Sequence, residues 1–154
     1  RVEFREVAER ASSARSRESA LAFFVPEARR NRFEELFGEE FHESLSEVES
    51  FAETEGAGRD VLIVRGFLTD VASGMPPESR TSGVTIVNWI WEVNYFLEIS
   101  DSMDNTLLAR IGSRERVEGP FESSETNPVT SQSIRAWTST LARGLGQLAD
   151  ISRE

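Results

Sequence analysis

Between Ile86 and Ile99 every second residue is apolar: Val87, Trp89, Trp91, Val93, Tyr95, Leu97 and Ile99. The residues between them, Ile86, Asn88, Ile90, Glu92, Asn94, Phe96 and Glu98, form a largely polar set. Successive side chains of a strand point to opposite faces, so this pattern predicts one long β-strand with a core face and a wet face. A helix would scatter the same apolar groups around its circumference. The chain is thereby committed to a fold built on a sheet that carries tryptophan on its buried side.

The rest of the chain supplies partners for that strand. Val2 to Ala8 reads as a short first strand, Glu9 to Ser19 as a charged, serine-rich loop, and Leu21 to Val25 as an apolar patch tucked against the core. Pro26 opens a helix, with Glu27 at the positive end of its dipole. Phe33, Leu36, Phe37, Phe41, Leu45 and Val48 form its apolar stripe, and it ends near Ser50, before Glu55-Gly56-Ala57-Gly58. Val61 to Val71 reads as a second strand, in which Gly66 marks a bulge or a close backbone contact. Ser73 to Ser82 reads as a loop.

After the long strand, Asp101 to Asn105 makes a turn, and Leu107 to Gly112 returns antiparallel. Gly119 to Thr130, with Pro120 and Pro128, reads as an irregular connection. Ile134, Trp137, Leu141, Leu145 and Leu148 then trace a final amphipathic helix, capped by Ser131 or Ser133. No repeat or linker divides residues 1–154, which are read as a single domain. The expected fold class is α+β: an antiparallel sheet of about four strands with two amphipathic helices packed on one face.

Composition removes several kinds of chemistry. The 154 residues carry 17 basic and 27 acidic side chains, a formal charge of −10. That balance opposes nucleic acid and gives no basic patch for an anionic membrane. All the basic residues are arginine, so lysine catalysis and a phosphate-loop lysine are excluded. The absence of cysteine closes disulfide frameworks, zinc–thiolate sites and cysteine nucleophiles. No apolar run approaches the roughly 18 residues that span a bilayer. A chain that starts at Arg1 rather than methionine is expected to have an upstream segment that was removed or not included, and a signal peptide or lipid anchor could stand there.

Each candidate site has an ordinary structural explanation. His42, the only imidazole, borders the apolar stripe of the first helix, and a Ser-His-Asp triad would need two partners brought beside it. Asp101, Asp104 and Asn105 could hold a hard cation, yet they are also ordinary hairpin-turn residues. Gly56-Ala57-Gly58 precedes a strand rather than a helix, unlike a phosphate loop. The expectation is a non-enzymatic protein with no catalytic, cofactor-binding or metal-binding residue. Its candidate interaction surface is the wet face of the long strand: Ile90, Glu92, Asn94, Phe96 and Glu98.

Several short segments together carry a resemblance. They are Phe4-Arg5-Glu6-Val7, Arg32-Phe33-Glu34-Glu35-Leu36-Phe37, Asp60-Val61-Leu62-Ile63-Val64-Arg65, Leu68-Thr69-Asp70-Val71, Glu98-Ile99-Ser100-Asp101-Ser102 running into Leu107-Leu108-Ala109, and Arg135-Ala136-Trp137 with Leu141. In this order the chain resembles the bacterial periplasmic lipoproteins grouped as domain of unknown function thirty-three-thirteen. The resemblance implies a periplasmic cell-envelope protein, anchored to a membrane, in one form the outer membrane, through a lipidated cysteine upstream of Arg1. It brings no enzyme chemistry and no catalytic residue. The leading expectation is a domain that binds a protein or cell-wall partner, with no nucleic acid and no membrane contact except that anchor. One alternative is a small-molecule binder or enzyme with a pocket between sheet and helices, lined by Trp89, Trp91 and Tyr95. Another is a homodimer formed through the face bearing Ile90 and Phe96.

Overall fold

The computed structural model describes residues 1–7, 22–76 and 85–151. The expected loop at Glu9 to Ser19, Ala8 at the end of the first strand, and most of the loop after Ser73 lie outside these residues. Along the chain run β1 (Val2–Phe4), α1 (Glu27–Ser46), β2 (Leu62–Ser73), β3 (Ile86–Asp101), β4 (Leu107–Glu122) and α2 (Thr126–Ile151). The sheet order is β1-β2-β3-β4, and the fold is α+β as the patterning requires. The sheet is mixed rather than wholly antiparallel: β1 pairs parallel to β2, while β2–β3 and β3–β4 are antiparallel. A parallel neighbour needs a crossover, and α1 supplies it.

Both helices pack on one side of the sheet. Phe33 and Phe37 of α1 and Ile134, Trp137, Leu141 and Leu145 of α2 share one core with Leu68, Trp91, Val93, Tyr95, Leu97 and Ile99 of the strands. At α1 the Pro26 carbonyl accepts the first amides, those of Arg29 and Arg30, at 3.0 Å each. The helix ends at Ser46, short of the expected Ser50, and Val48 continues as a turn bonded back to Leu45. Gly66 is a close contact and no bulge: a Cβ there would lie 2.7 Å from the Phe41 ring. At Gly112 a Cβ would collide with Phe96 and the Tyr95 carbonyl across the β3–β4 ladder.

The stretch Gly119 to Thr130 is ordered, not an irregular connection. β4 continues through Pro120 to Glu122, a 3-10 turn follows over Ser123–Glu125, and α2 begins at Thr126, ahead of Ser131 and Ser133. Proline is tolerated on an edge strand whose N–H would face water, and in the first turn of a helix where no amide needs a partner. The Glu122 amide is satisfied by Glu125 Oε2 at 2.7 Å. Ser133 lies inside the helix, its hydroxyl donating to the Val129 carbonyl at 2.8 Å.

Bulges overturn the alternation of β3 at one point. Trp89 pairs with Glu118 and Glu92 with Arg116, so β3 carries an extra residue between them. Ile90 and Trp91 are therefore both buried in the core, at 0% and 1% exposure. Trp89 is displaced from that cluster: it is buried, but its ring lies 4.9 Å beneath the Arg116 guanidinium. A period-two reading has no means of placing this slip.

Candidate functional site

The sheet face away from the helices carries Arg65, Phe67 and Thr69 of β2, Glu92, Asn94, Phe96 and Glu98 of β3, and Arg110, Arg114 and Arg116 of β4, in register across the strands. Glu92 is its centre. Its side chain is only 7% exposed, and three arginines approach it. Oε1 accepts from Arg5 Nη2 at 2.9 Å and from Arg114 Nη2 at 2.5 Å, and Oε2 accepts from Arg116 Nε at 2.6 Å.

Arg5, just after β1, also grips Asp70 in a fork, Nε and Nη2 each donating at 2.7 Å. A bulge in β2 between Thr69 and Ala72, with Asp70 at a φ of 52°, places that carboxylate. Aspartate tolerates this left-handed backbone better than most residues. The network thus ties the chain after β1 to β2, β3 and β4. Hydrogen bonding from Arg5 first, then from Arg114 and Arg116, outweighs burial and holds the Glu92 carboxyl at about 2, against an ordinary 4.5. Arg5 likewise holds the Asp70 carboxyl below its usual range.

Beside the network, Phe67 and Phe96 stack, with ring centroids 4.9 Å apart and planes 11° from parallel. Arg110 covers the other side, its guanidinium 4.9 Å over the Phe96 ring and bonded to Glu98. Asn94, Phe96 and Glu98 are half-buried on this face, and Arg65, Arg110, Arg114 and Arg116 are exposed. Of the residues expected on the wet face, Glu92, Asn94, Phe96 and Glu98 are brought together. Ile90 is not among them; the bulge buries it on the helix side.

Arg5, Asp70, Arg114 and Arg116 were not singled out by sequence. The available signal was the spacing of Arg110, Gly112, Arg114 and Arg116, every second residue, which places the arginines on one face once the strand is carried past Gly112.

The other candidates resolve individually. His42 lies exposed on α1 and lines a hollow with Ser46 and Asp60, but no hydrogen bond joins the three among the described residues. In the β3–β4 turn, Asp101 Oδ1 accepts the Met103 amide at 2.6 Å and Asp104 Oδ1 the Thr106 amide at 2.8 Å. Both carboxylates thus serve the turn itself. Of the three residues named for a pocket between sheet and helices, Trp91 lines a hollow of about 220 Å³ with Arg29, Phe33 and Thr130, and Trp89 and Tyr95 are not part of its lining. Trp91 lies 4.7 Å from Phe33, and Tyr95 stacks on Trp137 at 6.1 Å, ring centroid to ring centroid. No family model, no curated protein and no solved structure matches this chain.

Proposed function

We propose that the protein is a non-enzymatic envelope domain of the lipoprotein type, which binds a protein or cell-wall partner through the sheet face centred on Glu92. The supporting observation is the fixed network there. Five arginines (Arg5, Arg65, Arg110, Arg114 and Arg116) share the face with four acids, Asp70, Glu92, Glu98 and, opposite Trp89, Glu118. In a chain of net charge −10 this face carries surplus positive charge next to a stacked aromatic pair. Guanidinium forks and flat aromatic surface are the groups that anchor carboxylate-bearing partners. Because Arg5 and Glu92 are already held in place, little side-chain freedom is lost on binding. The periplasmic setting and the upstream lipid anchor rest on the resemblance, and an upstream sequence ending a signal peptide in cysteine would support both.

The face is tested in cells with a photo-crosslinking residue at Asn94, and with the same residue at Glu35 on the opposite side of the molecule. Discrete adducts from Asn94 alone, weakened by Arg114→Ala, are expected in the envelope fraction. Equal labelling from both positions, or adducts confined to a cytosolic fraction, would discard the reading.

A further inference from the structure

Where β3 turns into β4, apolar side chains are left facing water. Six large apolar residues are exposed among the described ones, and five of them (Phe51, Met103, Leu107, Leu108 and Ile151) lie at this end of the sheet. Phe51, Leu108 and Ile151 line a hollow of about 690 Å³ together with the better-buried Leu62, Leu145 and Leu148. A second hollow of about 440 Å³, lined by His42, Ser46 and Glu53, adjoins it and shares Phe51, Asp60, Leu62 and Leu145. Asp60 stands at the junction.

The wall that carries Asp60 is built rather than loose. Ser102 in the β3–β4 turn clamps Gly58, its hydroxyl accepting the Gly58 amide at 3.1 Å and donating to the Gly58 carbonyl at 3.0 Å. The Ser102 amide also donates to the Val61 carbonyl at 3.1 Å. Asp60, with a φ of 62°, sits between these anchors. Its carboxylate has no hydrogen-bond or ion-pair partner among the described residues. Among the described residues no arginine lines either hollow; the ionisable groups there are Asp60, Glu53 and His42. An apolar recess with a few convergent polar groups is the common form of a small-ligand site.

We propose that this end of the sheet binds a small cationic amphiphile of the long-chain amine kind. The chain fills the recess lined by Phe51, Leu108 and Ile151, and the ammonium lies beside Asp60. Charge decides the occupant. A carboxylate-headed ligand or an anionic bilayer would meet Asp60 and Glu53 at close range, and a second copy of the chain would bring the same acids to the same place. This site stands apart from the Glu92 face, and neither depends on the other.

Titration calorimetry on the full chain with octylamine, decylamine, decanol and decanoate, each below its micelle concentration, tests the assignment. Decylamine is expected to bind one to one and more tightly than decanol, with decanoate weakest. Affinity should rise about fourfold per added methylene until the recess is full. Asp60→Asn, which tolerates the same positive φ, is expected to weaken decylamine about two- to fivefold, as for an exposed ion pair, and to leave decanol unchanged. Leu108→Gln, at an exposed position, should weaken all the ligands without lowering the melting temperature. Absence of binding, decanoate binding as tightly as decylamine, or binding indifferent to Leu108→Gln overturns the proposal. So would a Leu108-dependent dimer in light scattering, or Leu108-dependent sedimentation with anionic vesicles, in place of amine binding.

Discussion

The indole N–H of Trp91 donates to the hydroxyl of Thr130 at 2.7 Å, joining the middle of β3 to the first turns of α2. That hydroxyl donates in turn to the Thr126 carbonyl at 2.6 Å, so both of its roles are filled inside the core. Thr130→Val keeps the shape and removes the acceptor, leaving a buried indole N–H unpaired at a cost of about 1–3 kcal/mol. Thr130→Ser should recover most of that loss. Urea unfolding of the two variants checks this, and equal midpoints for valine and serine would show that the bond contributes nothing.

Trp91 and Trp89 differ sharply in what they hold together. Trp91, 1% exposed, is packed against Phe33 and within the shared core of both helices. Burying an aromatic of 150–250 Å² contributes about 4–6 kcal/mol at ~25 cal/mol per Å², before entropy is set against it. Trp91→Ala should therefore unfold or severely destabilise the domain, by about 3–5 kcal/mol. Trp89→Ala removes a ring outside that core and is expected to cost less than half as much. Melting temperatures of the pair give the comparison directly.

The acid limb of stability should be governed by the arginine network. Glu92 titrates at about 2 in the folded chain and near 4.5 when unfolded, and Asp70 is lowered in the same direction. A carboxyl whose folded value is depressed stabilises the fold above the unfolded value and loses that contribution as pH falls towards the folded value. Stability should accordingly be flat from pH 7 to about 5 and fall steadily towards pH 2. Glu92→Gln should lose about 2 kcal/mol at pH 7, as for hydrogen bonds to a charged group, and show a shallower acid slope. A slope identical to that of the parent chain would assign acid unfolding to other carboxyls.

Legibility followed the strength of the pattern in each element. The core face of β3 from Trp91 to Ile99 and the stripes of α1 and α2 were readable because long apolar periodicities leave one solution. The second half of β4 was not, because an edge strand that is wet on most of its surface shows Arg and Glu where a buried strand would show alternation. The start of α2 was hidden by Pro128, a residue that ends helices when inside them and is harmless in their first turn. The Glu92 site was legible only in part. Glu92, Asn94, Phe96 and Glu98 shared a face on parity alone, whereas the network of Arg5, Asp70 and Glu92 is brought together through two bulges and a parallel strand, which are properties of the assembled sheet. Ile90 was assigned to the wrong face for the same reason.

The two helices share one buried polar contact whose direction makes a signed prediction. Ser44 on α1 donates its hydroxyl hydrogen to Thr138 Oγ1 on α2 at 2.9 Å, and Thr138 donates its own to the Arg135 carbonyl at 3.1 Å. Ser44→Ala leaves the Thr138 donor satisfied and removes only one acceptor contact, for about 1 kcal/mol. Thr138→Val instead strands the Ser44 hydroxyl in a site where Ser44 is 5% exposed and Thr138 0%, and should cost more, about 1–3 kcal/mol. The double variant should be less destabilised than the sum of the two, because no donor is then left unpaired. A double-mutant cycle in urea measures the coupling, and strict additivity would mean that the two hydroxyls contribute no coupling to the joining of the helices.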